Sequence, residues 1–260
     1  MLEGKCALIT GSVAGLGFAI AESLAKAGAN IVLNGLCSKE EGQAAADALA
    51  QSSGRTVVFD GADLRDVSAI ERMVAQAAAR FGKVDIIVNN AVVRHFAPIE
   101  ELTPAQWDTS LAVNLSAAFH LVRFALPAMR AAGWGRIINM SSIYGARGAE
   151  NRIDYVTTKT ALLGMTRAIA IETARTGITC NAVCPGTVPS PAIVERIAGI
   201  AQSQGISIAE AERDYIKPRH PTERFVSLEN VGALVTFLCS PAGQDITGAT
   251  LPIDGGWQAR

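Results

Sequence analysis

Charge of either sign is scarce and balanced. Lysines and arginines number 23 against 24 aspartates and glutamates, for a net charge of −1. No basic block is present to engage phosphates, which excludes a general nucleic-acid binder. No overall field draws anions in either, so a preference for an anionic ligand has to come from local residues. Charged residues are 18% of the chain and apolar ones 49%, a balance that fits neither disorder nor a coiled coil. Cysteine is sparse: five, odd in number and scattered, at Cys6, Cys37, Cys180, Cys184 and Cys239. Cys180 and Cys184 are four apart with no histidine or second cysteine pair beside them, so no metal site is expected. Reduced, mostly core thiols in a cytoplasmic protein fit this usage. The opening MLEGKCALITGS lacks a charged segment followed by a long apolar one, and no apolar run reaches about 18 residues. Neither a signal peptide nor a membrane span is therefore expected. No linker, repeat or low-complexity segment interrupts the chain.

What is present is alternation. Short apolar runs (CALIT, NIVLN, VDIIVNN, GRIINMSS, ITCNAVCPG) are separated by segments of helical spacing such as FAIAESLAKAG and VSAIERMVAQAAARFG. Continuously apolar strands spaced by helices imply a parallel sheet covered on both faces. The 260 residues suffice for one well-cored α/β domain and are short for two. The least regular stretch, 187–226, reads as a helical substrate lid.

The first strand runs into TGSVAGLG, Thr10–Gly17, and then a helix. Gly11, Gly15 and Gly17, with Leu16 among them, form a turn that lets backbone approach a pyrophosphate at the helix N-terminus. The spacing differs from the G-x-G-x-x-G fingerprint. After the second strand comes NGLCSK, where Leu36 stands in the ribose region and neither an acid nor an arginine is found. With no cation for a 2′-phosphate, NAD is expected over NADP. Asp63 and Leu64, after the third strand, are placed to meet adenine; the plainer role for Asp63 is a helix cap.

SSIYGARGAENRIDYVTTK, Ser141–Lys159, offers two tyrosines and one lysine. Tyr155 and Lys159 are four apart at the start of a helix and share a face. Free tyrosine, with a pKa of about 10, is a poor base near neutrality, and a lysine cation nearby lowers it. Tyrosinate then takes a hydroxyl proton while hydride leaves for nicotinamide, and Ser142 hydrogen-bonds the reacting oxygen. Tyr144 has no lysine at that spacing.

These landmarks, together with NNAV, Asn114 and CPGTV, resemble the short-chain dehydrogenases/reductases over essentially the whole chain. The resemblance implies a Rossmann-like doubly wound domain spanning 1–260 and a catalytic tetrad of Asn114, Ser142, Tyr155 and Lys159. It also implies a cofactor site that includes Asn90, Lys159, Pro185, Gly186 and Val188, and a homotetramer in which Trp257 and the C-terminal GGWQAR serve an interface. Val92 departs from the family, which usually has glycine after NNA. Within the family, IVLNGL, FDGADL and DGGWQAR resemble bacterial D-3-hydroxybutyrate dehydrogenases. Those bind a small carboxylate with Gln, His, Lys, Trp and Gln, and the matching positions are Arg94, Tyr144, Arg152, Thr187 and Arg196. All five differ.

Three of the five become arginine, whose rigid fork suits multi-oxygen anions, and the change to Thr187 opens space. The expected substrate is therefore a small anionic sugar, on the pattern of sulfosugar dehydrogenases that oxidise C1 of sulfoquinovose. His95 is a candidate for sugar hydroxyls, or a packed surface histidine. Tyr144 either stacks on the ring or fills the hole left by the family's histidine. Each arginine has a plainer alternative, a solvated or weakly paired side chain: Arg152 with Glu150 or Asp154, Arg196 in water. Arg147 takes that alternative, and His120 is read as helix packing. Two competing functions stay open: a 3-hydroxybutyrate-type dehydrogenase, and a catalytically silent NAD-binding protein on the same fold.

Overall fold

Central strands buried at every position and helices buried along one face build the molecule. The computed structural model describes residues 1–259. Seven strands, β1 (Cys6–Ile9), β2 (Asn30–Asn34), β3 (Val57–Asp60), β4 (Ile86–Asn89), β5 (Gly135–Met140), β6 (Ile178–Pro185) and β7 (Thr250–Ile253), form one sheet in the order β3-β2-β1-β4-β5-β6-β7. Every neighbouring pair is parallel. Successive side chains point to opposite faces. Ala7, Ile9, Ile86 and Val88 accordingly enter one core with Ile20 and Leu24, while Cys6, Leu8 and Ile87 enter the other with Ile70 and Leu121. Burying each aliphatic side chain of this size contributes about 1.5–3 kcal/mol.

Helices α1 (Gly15–Lys26), α2 (Lys39–Ser53) and α9 (Leu228–Cys239) cover the first face; α3 (Val67–Phe81) and α5 (Ala117–Ala132) cover the second. Local chemistry sets their ends. Ser38 and Glu41 form a capping box at the start of α2, and Gly54 at φ +67° stops it. α4 (Pro104–Leu111) starts on the Thr103–Gln106 box with proline in its first turn. It runs through one π-turn, Ala112–Ser116, into α5. The joined helix Pro104–Ala132 is long and apolar enough to cross a membrane by length and composition, contrary to the expectation from apolar runs. Its Leu121, Val122, Ala125 and Met129 pack onto the sheet, which makes it a core helix.

The strand order reverses between β1 and β4, both of which are extended from the same central edge, and opens a crevice at their C-terminal ends. The 187–226 stretch is more regular than its sequence suggests. It holds α7 (Pro191–Gln204) and α8 (Ile208–Ile216), which share a small core of Ile197, Ala201 and Ala211.

Candidate active site

The glycine turn after β1 is shaped by contacts rather than by flexibility alone. Gly11 has φ +60°, and a Cβ there would stand 2.8 Å from the Ala91 Cα. At Gly17 a Cβ would run into the Gly11 carbonyl and come within 2.5 Å of Asn90 Nδ2. Asn90 ties the turn down, its amide donating to the carbonyls of Thr10 (2.9 Å) and Gly11 (2.8 Å). The first helical turn of α1 has no side-chain cap and no acidic residue, so its N–H groups face the crevice free to meet an anion. Gly15 is left with open space above it. Gly11, Gly15, Leu16, Gly17, Asn90, Pro185, Gly186 and Val188 line one cavity of about 270 Å³ with Tyr155 and Lys159. A cradle that a Cβ would fill, facing uncapped amides, fits a nicotinamide dinucleotide, and when bound that group accepts or donates the hydride.

The four side chains expected to be catalytic come from three places. Asn114 sits inside the π-turn and is 3% exposed. Its Oδ1 accepts from Val93 N–H (2.8 Å), and its Nδ2 donates to Val93 O (3.0 Å) and Thr158 Oγ1 (3.3 Å). The extra residue of the π-turn thus couples the loop after β4 to α6 (Ile153–Thr173). Ser142 follows β5 and caps a short 3₁₀ turn, its Oγ accepting from Tyr144 N–H at 3.2 Å. Tyr155 and Lys159 stand one turn apart on α6, with Lys159 Nζ 5.6 Å from the Tyr155 ring centroid and donating to the Met140 carbonyl at 2.6 Å.

Burial, and then the Arg94 charge, push the Lys159 ammonium down from 10.5 to about 7. Below pH 7 both folded and unfolded chains hold this proton, and the folded state carries the full cost of burying the charge. Between about 7 and 10.5 the unfolded chain binds more protons, so stability rises with pH across that window. At ~1.36 kcal/mol per pKa unit the gain is on the order of 5 kcal/mol. Lys159→Met is expected to flatten that rise in urea denaturation of the apoenzyme between pH 6.5 and 10. An unchanged slope in the variant refutes the assignment to this lysine.

A second cavity of about 490 Å³ adjoins the first and shares Arg94, Ser142, Tyr155, Gly186 and Val188 with it. Here the expected substrate residues converge: Arg94, Tyr144, Arg152, Thr187 and Arg196 all line it. Arg94 and Arg152 flank the Tyr155 ring, 5.5 Å and 4.8 Å from its centroid. Tyr144 packs edge-on to Tyr155 at 6.3 Å and to Trp257 at 5.7 Å. Arg152 pairs with neither Glu150 nor Asp154. Its guanidinium lies over Phe96, 4.1 Å from the centroid, its Nε is buried without a partner, and burial lowers its pKa.

One expected substrate residue lies elsewhere, and other expected residues have partners of their own. His95 does not line the cavity; its Nδ1 meets Asp154 Oδ2 at 2.9 Å and Ser110 Oγ at 3.1 Å. Asp154 is 1% exposed and also accepts from Ser110 at 2.6 Å. Those hydrogen bonds, with burial opposing them, hold its carboxyl below the usual range. Asp63 pairs with Arg65, whose guanidinium holds the Asp63 carboxyl below its usual range, and the cap of α3 is Asp66. Leu64 is buried in the core beneath α3. Leu36 is 68% exposed beyond β2. Trp257 lines the 490 Å³ cavity, and Arg147 is not free, since it donates to the Trp257 carbonyl at 2.9 Å. Arg260 lies outside the described residues. Sequence reasoning missed Phe96, Tyr215 and Arg219, which also line the cavity. For Arg219 the run KPRHPTER gives no signal beyond a solvated charge cluster.

The family model described as Enoyl-(Acyl carrier protein) reductase matches residues 11–258. The D-beta-hydroxybutyrate dehydrogenase of Cupriavidus necator is 42% identical over 261 residues, covering 100% of both chains. That of Rhizobium meliloti is 41% identical and covers 98% of this chain and 99% of its own. L-sorbose reductase from Gluconobacter frateurii, solved with NADPH and L-sorbose, superposes with a TM-score of 0.94 at 30% identity, covering 100% of this chain and 98% of that one. A match of this extent, on a sheet and a cleft built in the same way, means that the chain belongs to the short-chain dehydrogenase/reductase family and is an NAD(P)-dependent oxidoreductase.

Proposed function

We propose that the protein oxidises a hydroxyl on a small, strongly anionic sugar with NAD, and that its substrate is sulfoquinovose, taken at C1 to the 6-deoxy-6-sulfogluconolactone. The observation that carries this reading is the convergence of Arg94, Arg152 and Arg196 on the cavity that holds Ser142 and Tyr155. Tyr155 takes the C1 hydroxyl proton, Ser142 donates to the same oxygen, and Lys159 stabilises the phenolate. Asn114 holds the geometry behind them and, as in the family, a relay water. The absence of an arginine beside the exposed Leu36 to hold a 2′-phosphate supports NAD over NADP. A cytoplasmic homotetramer completes the proposal.

A second reading is favoured by a different observation, the 42% identity over the full length to a D-beta-hydroxybutyrate dehydrogenase. Similarity across the scaffold supports a 3-hydroxy acid better than a sugar. Against it stand the five cavity positions at which the resemblance breaks. Initial rates of NAD and NADP reduction with sulfoquinovose, glucose 6-phosphate, glucose and D-3-hydroxybutyrate separate the two. Sulfoquinovose is expected to exceed glucose in kcat/KM by at least about 10-fold, since a charge-assisted bond contributes about 1.5–3 kcal/mol. Preference for D-3-hydroxybutyrate replaces this reading with the second one.

A further inference from the structure

The lid contributes a cation to the cavity that the family resemblance does not assign. Arg219 lies on the turn after α8, and its side chain lines the 490 Å³ cavity with Arg94, Arg152 and Arg196. Two of these come from the body of the fold: Arg94 follows β4, and Arg152 caps α6. The other two come from the lid, Arg196 on α7 and Arg219 beyond α8.

Arg219 is rigidly mounted. Its guanidinium lies 4.3 Å from the Tyr215 ring centroid, and its Nη1 donates to the Tyr215 carbonyl. The backbone N–H groups of Arg219 and His220 both donate to Ile216 O at 2.8 Å. His220 is fully buried, its Nδ1 2.7 Å from the Arg224 carbonyl and its Nε2 accepting from Thr187 N–H at 2.9 Å. Thr187 is itself part of the cavity wall. The turn that bears Arg219 is therefore pinned to the wall it faces, and Nη2 and Nε remain to donate into the cavity. Among the described residues none of the four guanidiniums makes an ion pair, and the one acid on the cavity wall is Glu150. Four like charges around one space repel one another, and an anion placed between them relieves that repulsion.

We propose that Arg219 determines specificity. With Arg196 it forms the lid half of a two-sided clamp whose body half is Arg94 and Arg152, and the clamp takes a tetrahedral multi-oxygen anion, a sulfonate or phosphate group. This rests on the reading of an anionic substrate above and adds the discrimination among anions. A carboxylate is planar and presents two oxygens, both of which a single fork reaches from one side. A sulfonate or phosphate presents three terminal oxygens and accepts from forks on opposite sides. The contribution of Arg219 is thus larger for the tetrahedral group than for the planar one.

The test uses binding as well as turnover. Methanesulfonate and acetate are titrated calorimetrically into the NAD-loaded enzyme, into Arg219→Ala and into Arg219→Gln, with thermal melts confirming that both variants fold. The expected result is a loss of methanesulfonate affinity of tenfold or more in both variants, and a change of less than threefold for acetate. Equal losses for the two anions, or no loss, overturn the clamp, as does failure of the wild type to prefer methanesulfonate. Turnover separates this from the function above. An Arg219-dependent preference for methanesulfonate without turnover of any anionic sugar keeps the clamp and rejects the substrate. Sulfoquinovose turnover with an unchanged KM in Arg219→Ala rejects the clamp and keeps the substrate.

Discussion

Tyr155→Phe is expected to lower kcat by about three orders of magnitude while changing the cofactor Kd by less than twofold. The substitution removes one oxygen and nothing else. The ring is 7% exposed and wedged between Tyr144 on one side and the guanidiniums of Arg94 and Arg152 on others, so phenylalanine occupies the same volume in the same packing. Lys159 keeps its bond to Met140 O, and Asn90 keeps its hold on the glycine turn, so the dinucleotide cradle is untouched. What is lost is the group that receives the substrate proton, and a positioned general base is worth about 10²–10⁴ in rate. Tyr144→Phe is the internal comparison. Tyr144 touches the same ring from outside the Tyr155–Lys159 pair, and its loss is expected to change KM a few-fold and leave kcat nearly intact. Stopped-flow turnover and fluorescence titration with NADH measure both. Retention of more than a tenth of kcat in Tyr155→Phe sinks the assignment.

The framework of the fold was legible because parallel strands buried on both faces leave unbroken apolar runs, as at Ile86–Asn89 and Gly135–Met140. The cleft was legible for a related reason. Tyr155 and Lys159 lie on one helix, and the glycines of the turn lie within one loop, so short-range spacing carries most of the geometry. Long-range partnerships were not legible. His95 and Asp154 are 59 residues apart, and only the docking of α6 against the loop after β4 shows that the histidine is engaged. Nothing near Trp257 in the chain announces that the C-terminal segment folds back over Tyr144. The π-turn at Asn114 has no local signature either. It is stabilised by Val93 and Thr158, which reach the asparagine from two other segments. In the lid, α7 and α8 were blurred by exposed polar faces, since their buried core is only a few side chains deep.

Arg152→Met is expected to raise KM for the anionic substrate by about 10- to 100-fold while leaving the protein as stable or slightly more stable. These two effects have opposite signs, and their combination identifies what the residue does. A structural arginine in a protein interior is paired, and removing it leaves an orphaned partner and destabilises the fold by several kcal/mol. Arg152 has no carboxylate partner among the described residues, and its Nε is buried without an acceptor. Burial lowers its pKa, with the charge of Arg94 acting in the same direction and those of Tyr155, Tyr144 and Asp154 opposing. Holding a cation in such a place costs stability. The rings of Phe96, Tyr155 and Tyr144, at 4.1, 4.8 and 5.7 Å, recover only part of it, since each cation–π contact supplies about 0.5–2 kcal/mol. Methionine fills the same slot between the aromatic faces with no charge to desolvate, so melting is expected to stay within about 1 kcal/mol of the wild type or rise. The affinity loss follows from the missing charge-assisted bonds, at about 1.5–3 kcal/mol. Michaelis constants for the anionic sugar and its neutral parent, alongside urea denaturation, give the comparison. A variant that is destabilised by more than about 2 kcal/mol with KM unchanged makes Arg152 a packing residue. A stable variant that loses only the anionic substrate means that the fold tolerates an uncompensated cation beside its catalytic tyrosine because the substrate supplies the missing charge.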